Sequence, residues 1–141
     1  MKVDLPEDYR PSENEPYMNP KQLEYFRQKL LFWREQLVRE AARISDLLKE
    51  KSLGEADLVD QGALEADKAL KLRIRNRYIK LICKINDALG RIKDGTYGYC
   101  EETGKEIGIR RLEARPVATL SLEAQERHEQ MERPKRAGHR E

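Results

Sequence analysis

Long apolar runs are what this sequence most lacks. No uncharged stretch approaches the ~20 residues that cross a bilayer, which excludes a membrane-spanning helix. The continuous Val/Ile/Leu runs of a buried parallel sheet are missing too, which excludes an ordinary α/β enzyme. Aromatic residues make up 6% and apolar residues 38% of the 141, too few for a thick globular core. Two cysteines, Cys83 and Cys100, cannot build a disulfide framework, so a reducing, cytoplasmic setting is expected. Met1-Lys2-Val3-Asp4 has no apolar run behind it, so no signal peptide is expected. Charge of one sign is also absent: 28 Lys and Arg against 26 Asp and Glu leave +2, too weak a bias to argue for nucleic acid. What is plentiful is charge of both signs, 38% of all residues, which points to long exposed helices laced with ion pairs.

Residues 1–18 hold Pro6, Pro11 and Pro16 and five acids against two bases, the composition of an extended acidic lead-in that supports no core. A helix is expected from Asn19-Pro20-Lys21-Gln22. Asn19 can cap it, Pro20 suits the first helical position, and Gln22 stands where a capping box needs it. Leu23, Leu30, Leu37 and Ile44 then recur every seven residues, with Phe26, Trp33 and Leu47 in a second series that Glu40 interrupts. This is a coiled-coil seam, although a core helix of a small bundle would show the same pattern.

The pattern stops at residues 52–62, which carry two glycines, three acids and no base, a turn composition. It resumes with Leu70, Ile74, Tyr78, Leu81, Ile85, Leu89 and Ile92 and ends at Lys93-Asp94-Gly95, where Gly95 suits a C-cap. The stretches 20–51 and 63–94 are equally long, ~48 Å each as helices, and the short linker predicts two antiparallel arms of one hairpin. Domain 19–94 is therefore expected to be a coiled-coil hairpin with a tip loop at 52–62. A small domain follows over 95–132, with a short hairpin from Tyr97-Gly98-Tyr99-Cys100 to Glu106-Ile107-Gly108-Ile109. A basic segment leads from there to Pro116. A last helix is expected over Leu120–Met131 with Ser121 as a possible cap, then a frayed basic tail, 133–141.

Three features could carry chemistry. Asp57 and Asp60 stand at i, i+3 in the tip, where they could meet a basic groove, share a metal ion or perturb a charged active site. A solvated turn is the plainer reading of the same pair. No base, nucleophile or pocket accompanies them, so catalysis by the pair is not expected. From Lys68 to Lys84 there are seven bases and no acid, and ~100° per residue brings Arg73, Arg77, Lys80 and Lys84 to one flank of the second helix. An acidic protein surface or a phosphate ligand fits this stripe, nucleic acid fits it less well because Tyr78 is its one aromatic, and solubilising charge is the bland alternative. Cys100 stands where a zinc knuckle has a Cys-x2-Cys pair, but its partner position is Thr103. Cys83 reads as a small packing residue. Four zinc ligands cannot be assembled from these residues with His128 and His139. No phosphate loop, catalytic triad or His-Glu-x-x-His pattern is present.

The Asp-x-x-Asp tip between long helices, Leu72-Arg73-Ile74-Arg75-Asn76-Arg77, and Gly98-Tyr99-Cys100 leading to Glu106-Ile107-Gly108-Ile109-Arg110-Arg111-Leu112-Glu113-Ala114-Arg115-Pro116 together resemble the DksA/TraR family of transcription factors. The resemblance covers residues 20–131. It implies a mainly α fold: a long antiparallel coiled-coil hairpin, a small α/β zinc-finger-like domain and a C-terminal helix. It implies a cytoplasmic, monomeric, non-enzymatic partner of bacterial RNA polymerase with no sequence-specific DNA binding. The hairpin would enter the secondary channel and bring Asp57 and Asp60 near the active site. Open complexes at ribosomal RNA and other promoters would then be destabilised, together with guanosine tetraphosphate (ppGpp), in the stringent response. Arg73, Arg77 and Arg111 match positions for polymerase docking, and Lys84 and Arg115 are assigned to the phosphates of ppGpp.

The departures from the family pattern are specific. Its Cys-x2-Cys-x17-Cys-x2-Cys finger falls on Cys100, Thr103, Ser121 and Ala124, so the small domain is expected to be zinc-free and held by packing around Tyr97, Ile107, Leu112 and Leu122. Gly62 falls where the family has a small alanine, which loosens the tip. Gln125 falls where a lysine helps hold the nucleotide, so weaker or differently built coupling to ppGpp is expected. Two other readings use the same features: a Gre-like transcript-cleavage factor whose carboxylates help hold a catalytic magnesium ion, and a coiled-coil adaptor for protein or nucleic acid.

Overall fold

The two heptad-patterned stretches form two long helices. The computed structural model describes the backbone of residues 3–50 and 58–138 and the side chains within 3–50 and 61–132. Its helices are α1 (Pro20–Lys49), α2 (Leu58–Asp94), α3 (Ile109–Ala114) and α4 (Leu122–Gly138). Two compact units result, one of Leu30–Asp87 and one of Met1–Lys29 with Ala88–Glu141.

Within Leu30–Asp87, α1 and α2 run antiparallel. Arg34 donates to Asn86 at 2.7 Å and Arg75 to Ser45 at 3.4 Å, so eleven residues forward along α1 match eleven residues back along α2. Leu30, Leu37, Ile44 and Ile85 are buried on the seam, as the seven-residue spacing requires. The exposed faces carry i, i+3 and i, i+4 ion pairs: Glu35–Arg39, Glu40–Arg43 and Asp67–Lys71. Such pairs contribute only about 0.3–0.5 kcal/mol each, so the seam dominates.

Two expectations for this unit change. α2 starts at Leu58, so Asp60 and Gly62 are helical and not in a tip loop. A helical glycine costs about 1 kcal/mol against alanine, which a 37-residue helix can carry. The rest of that loop, with Asp57, lies outside the described residues. Cys83 is exposed and not a packing residue. With a single helix as partner, the face of α2 that carries Leu72, Ile79 and Cys83 stays in solvent, and Leu72 and Ile79 are 41% and 43% exposed.

The other unit is built around Tyr97, Leu112 and Phe26, all nearly or fully buried. The Tyr97 hydroxyl donates to the Pro116 carbonyl at 2.8 Å, and burial pushes its pKa well up. The expected hairpin is reduced to one antiparallel bridge, Tyr99–Glu106, flanked by Ile107 N–H to Gly98 O and Cys100 N–H to Lys105 O, both 2.8 Å. α3 occupies what the sequence offered only as a basic segment. Ile109 and Leu112 are its buried residues, too few turns for periodicity to declare itself. Ile107 is buried as expected, but Leu122 is 59% exposed. As the first residue of α4 it lies off the buried face, and Ala124 fills that role. Ser121 caps α4, its hydroxyl accepting from Ala124 N–H at 3.2 Å. α4 continues to Gly138, so residues 133–138 are helical and not a frayed tail. Lys, Arg and Ala are strong helix formers.

The N-terminal segment is the largest departure. It packs onto this unit and supports the core. Met18 is buried and has φ 52°, a left-handed conformation that costs a side-chain-bearing residue about 1–2 kcal/mol. Asn19 accepts from Gln22 N–H at 3.0 Å and Gln22 Oε1 accepts from Met18 N–H at 2.7 Å. Both caps were legible in the sequence, but the glutamine reaches one residue further back than a standard capping box.

Candidate functional site

The basic flank of α2 is the most open of the candidate features. Arg73, Arg77, Lys80 and Lys84 are all exposed, and a period of ~100° per residue keeps them within one narrow strip. Arg77 lies 6.0 Å from the centre of the Tyr78 ring, at the outer reach of a cation–π contact. On the same helix Asp60 falls within the first turn. The positive strip and this aspartate therefore belong to one helix.

Arg111 and Arg115 belong to the other unit. Arg111 is half-buried and donates from Nε to the Leu120 carbonyl at 2.9 Å, which ties α3 to the approach of α4. Arg115 is exposed and terminates α3 with its N–H on the Arg111 carbonyl. Lys84 lies in the helical-pair unit and Arg115 in this one.

The structure gathers the four positions expected to be a vestigial zinc site. Cys100 is buried. Burial pushes its thiol up, but the hydroxyls and amides of Thr103 and Ser121 donate to the sulfur and outweigh it, lowering the pKa to about 6. Ala124 is fully buried beside them, and its amide bonds the Ser121 hydroxyl. The arrangement stabilises a thiolate through neutral donors.

Several residues that hold the unit together have no motif of their own. Lys29 donates to both the carbonyl and the carboxylate of Glu113, at 3.0 and 2.7 Å. His128 pairs with Glu102, joining α4 to the turn after Cys100. Tyr17 bonds the backbone at Gly98 and Gly108. The one signal for the last was an apolar residue, Met18, immediately before a cap, the position of a hydrophobic staple.

Comparison with known proteins gives two family matches. Residues 22–92 match the DnaK suppressor protein DksA N-terminal domain, and residues 95–130 match the prokaryotic dksA/traR C4-type zinc finger. The RNA polymerase-binding transcription factor DksA of Caulobacter vibrioides is 59% identical over 126 residues, 89% of each chain. The protein of the same name from Escherichia coli K12 is 44% identical over 117 residues, 83% of this chain and 78% of that one. The structure of transcription factor DksA2 from Pseudomonas aeruginosa superposes with a TM-score of 0.77 at 39% identity, over 83% of this chain and 90% of that one. Of the three readings drawn from the sequence, these likenesses favour the first and lend nothing to transcript cleavage or an adaptor.

The second match implies a four-cysteine zinc site, and the residues here do not fit one. A structural zinc needs four thiolate or imidazole ligands. Thr103 and Ser121 offer only neutral hydroxyls, already accepting from the Lys105 and Ala124 amides, and Ala124 has no ligating side-chain atom. Among the described residues, no group of three or more His, Cys, Asp or Glu could hold a metal.

Proposed function

This chain belongs to the DksA/TraR family, and on that premise we infer that it is a transcription regulator that binds bacterial RNA polymerase and catalyses no reaction of its own. The α1–α2 unit enters the secondary channel of the polymerase and presents Asp57 and Asp60 to mobile elements of the active site. Two carboxylates at that point act by charge and contact, and the outcome is a shorter-lived open complex at ribosomal RNA and other promoters. Arg73, Arg77 and Arg111 dock on the polymerase. Lys84 and Arg115 take the phosphates of ppGpp through charge-assisted bonds, with coupling reduced by Gln125. The site of action is the cytoplasm, and the working form is a monomer. Among the described residues no helix is long and apolar enough to cross a membrane.

One observation carries the reading: seven bases unbroken by acid from Lys68 to Lys84, four of them in one exposed strip, on the helix whose first turn holds Asp60. A solubilising surface has no reason to segregate charge in this way.

The test is in vitro transcription from a ribosomal RNA promoter with purified protein, with and without ppGpp. Wild type is expected to shorten open-complex lifetime, and the Asp57→Asn/Asp60→Asn double variant to lose the effect while still binding polymerase. A double variant as active as wild type would refute the role of the aspartates. The small domain is zinc-free in this reading. Chelator is expected to leave its melting curve unchanged, and metal analysis to find no stoichiometric zinc.

A further inference from the structure

The hairpin of the unit that holds Cys100 has a turn end and an open end. Cys100, Thr103 and Ser121 fasten the turn end, where a four-cysteine finger has its metal. At the open end the last rung is Ile107 N–H to Gly98 O, after which the chain departs toward α2 on one side and α3 on the other. We propose that residues 9–19 are a built-in clamp that closes this open end, with the Tyr17 hydroxyl as its pin.

A single oxygen bridges the two sides. The Tyr17 hydroxyl donates to the Gly98 carbonyl at 2.7 Å and accepts from Gly108 N–H at 2.9 Å. It adds a side-chain rung to the backbone ladder. Its ring meets Tyr99 edge-on, centroids 5.6 Å apart. Met18 lies so close that a Cβ on Gly98 would stand 2.9 Å from its Cγ and 3.0 Å from its Sδ. Gly98 is thus the seat of the clamp, and a Cβ there would force the Met18 or Tyr17 side chain to shift.

The clamp is anchored at its other end on α1. Gln22 is fully buried. It takes the Met18 amide on Oε1 and donates from Nε2 to the Ser12 carbonyl and Glu15. The Tyr9 hydroxyl donates to the same Glu15 carboxylate at 2.6 Å. The left-handed backbone at Met18 persists because contacts on both sides over-determine it. A zinc finger cross-links its hairpin by coordination. Here hydrogen bonds at the turn and a tyrosine from the N-terminal segment divide that task, an inference that rests on the zinc-free reading of the domain.

Hydrogen exchange in the full-length protein, read at the Cys100 and Ile107 amides, tests the clamp. Tyr17→Phe removes both bonds and leaves Gly108 N–H unpaired, so exchange at both amides is expected to rise about tenfold or more. Helical amides in 30–87 should be unchanged. Gly98→Ala and Gly104→Ala form a matched pair, since both glycines have positive φ, +91° and +72°, but only at Gly98 would a Cβ strike the clamp. Gly98→Ala is therefore expected to loosen the hairpin more. Exchange in Tyr17→Phe within twofold of wild type, or equal effects of the two alanines, overturns the clamp. Faster exchange in wild type on adding chelator instead overturns the metal-free premise and leaves the tyrosine measurement to be read separately.

Discussion

Cys100 shows how one position can keep its chemistry after its metal partners have changed. Where a zinc finger would surround the sulfur with three more thiolates, this chain offers two hydroxyls, two amides and a buried methyl group. Neutral donors favour the anion without fixing it as a metal does. The thiol titrates at about 6 in the folded protein against an ordinary 9.0. A group whose folded pKa is depressed stabilises fully above its unfolded pKa, and that contribution is lost as pH falls toward the folded value. Stability of the unit that holds Cys100 is therefore expected to rise from pH 6 to pH 9 in wild type. Cys100→Ser should lack this rise, and the ultraviolet absorbance of the thiolate in the folded protein should appear around pH 6, at the lower edge of that window. A flat profile in wild type would show that the sulfur is protonated throughout. Arg111 makes a related point, because its Nε is committed to Leu120. Arg111→Lys is expected to weaken the fold, since lysine lacks the planar guanidinium geometry.

At the scale of elements, α1 and α2 hold together through a thin seam and depend on local helix energetics more than a packed bundle does. Gly90 sits inside α2 with open space around it, so Gly90→Ala is expected to stabilise the protein by up to about 1 kcal/mol. Gly62→Ala also meets nothing but lies nearer the start of α2, where the helix frays, and the gain should be smaller. Urea unfolding of the two variants distinguishes the positions. At the start of α1, Asn19 accepts from Gln22 N–H and donates to Glu15 and the Pro16 carbonyl. Asn19→Ala removes the cap and loosens the N-terminal clamp, so the cost should approach the upper end of the usual ~0.5–2 kcal/mol.

For the molecule as a whole, a net charge of +2 conceals a segregated distribution, with bases along α2 and acids in the N-terminal segment and around the start of α2. Binding to polymerase through that basic flank is expected to weaken severalfold between about 0.1 and 0.5 M salt, as the screening length shrinks below the spacing of the charges. Arg73→Ala/Arg77→Ala should bind more weakly at low salt and show a shallower salt dependence. Fluorescence anisotropy with labelled protein measures both. An unchanged salt slope in the double variant would place the docking charges elsewhere.

The sequence by itself determined the long helices, the caps at Asn19 and Ser121, the seam through Leu30, Leu37 and Ile44, and the segregation of charge. All of these are local: propensity, capping and periodicity act between residues a few positions apart. It also carried the family motifs from which Asp57, Asp60, Lys84 and Arg115 were singled out. Tertiary structure decided the rest. Tyr17 reaches Gly98 and Gly108 across separations of 81 and 91 residues, which no local pattern encodes, and so an acidic, proline-rich segment became part of the core. Cys83 and Leu122 were left to solvent because burial depends on which neighbour arrives at a given face. The meeting of Thr103 and Ser121 at the Cys100 sulfur likewise required the chain to close on itself.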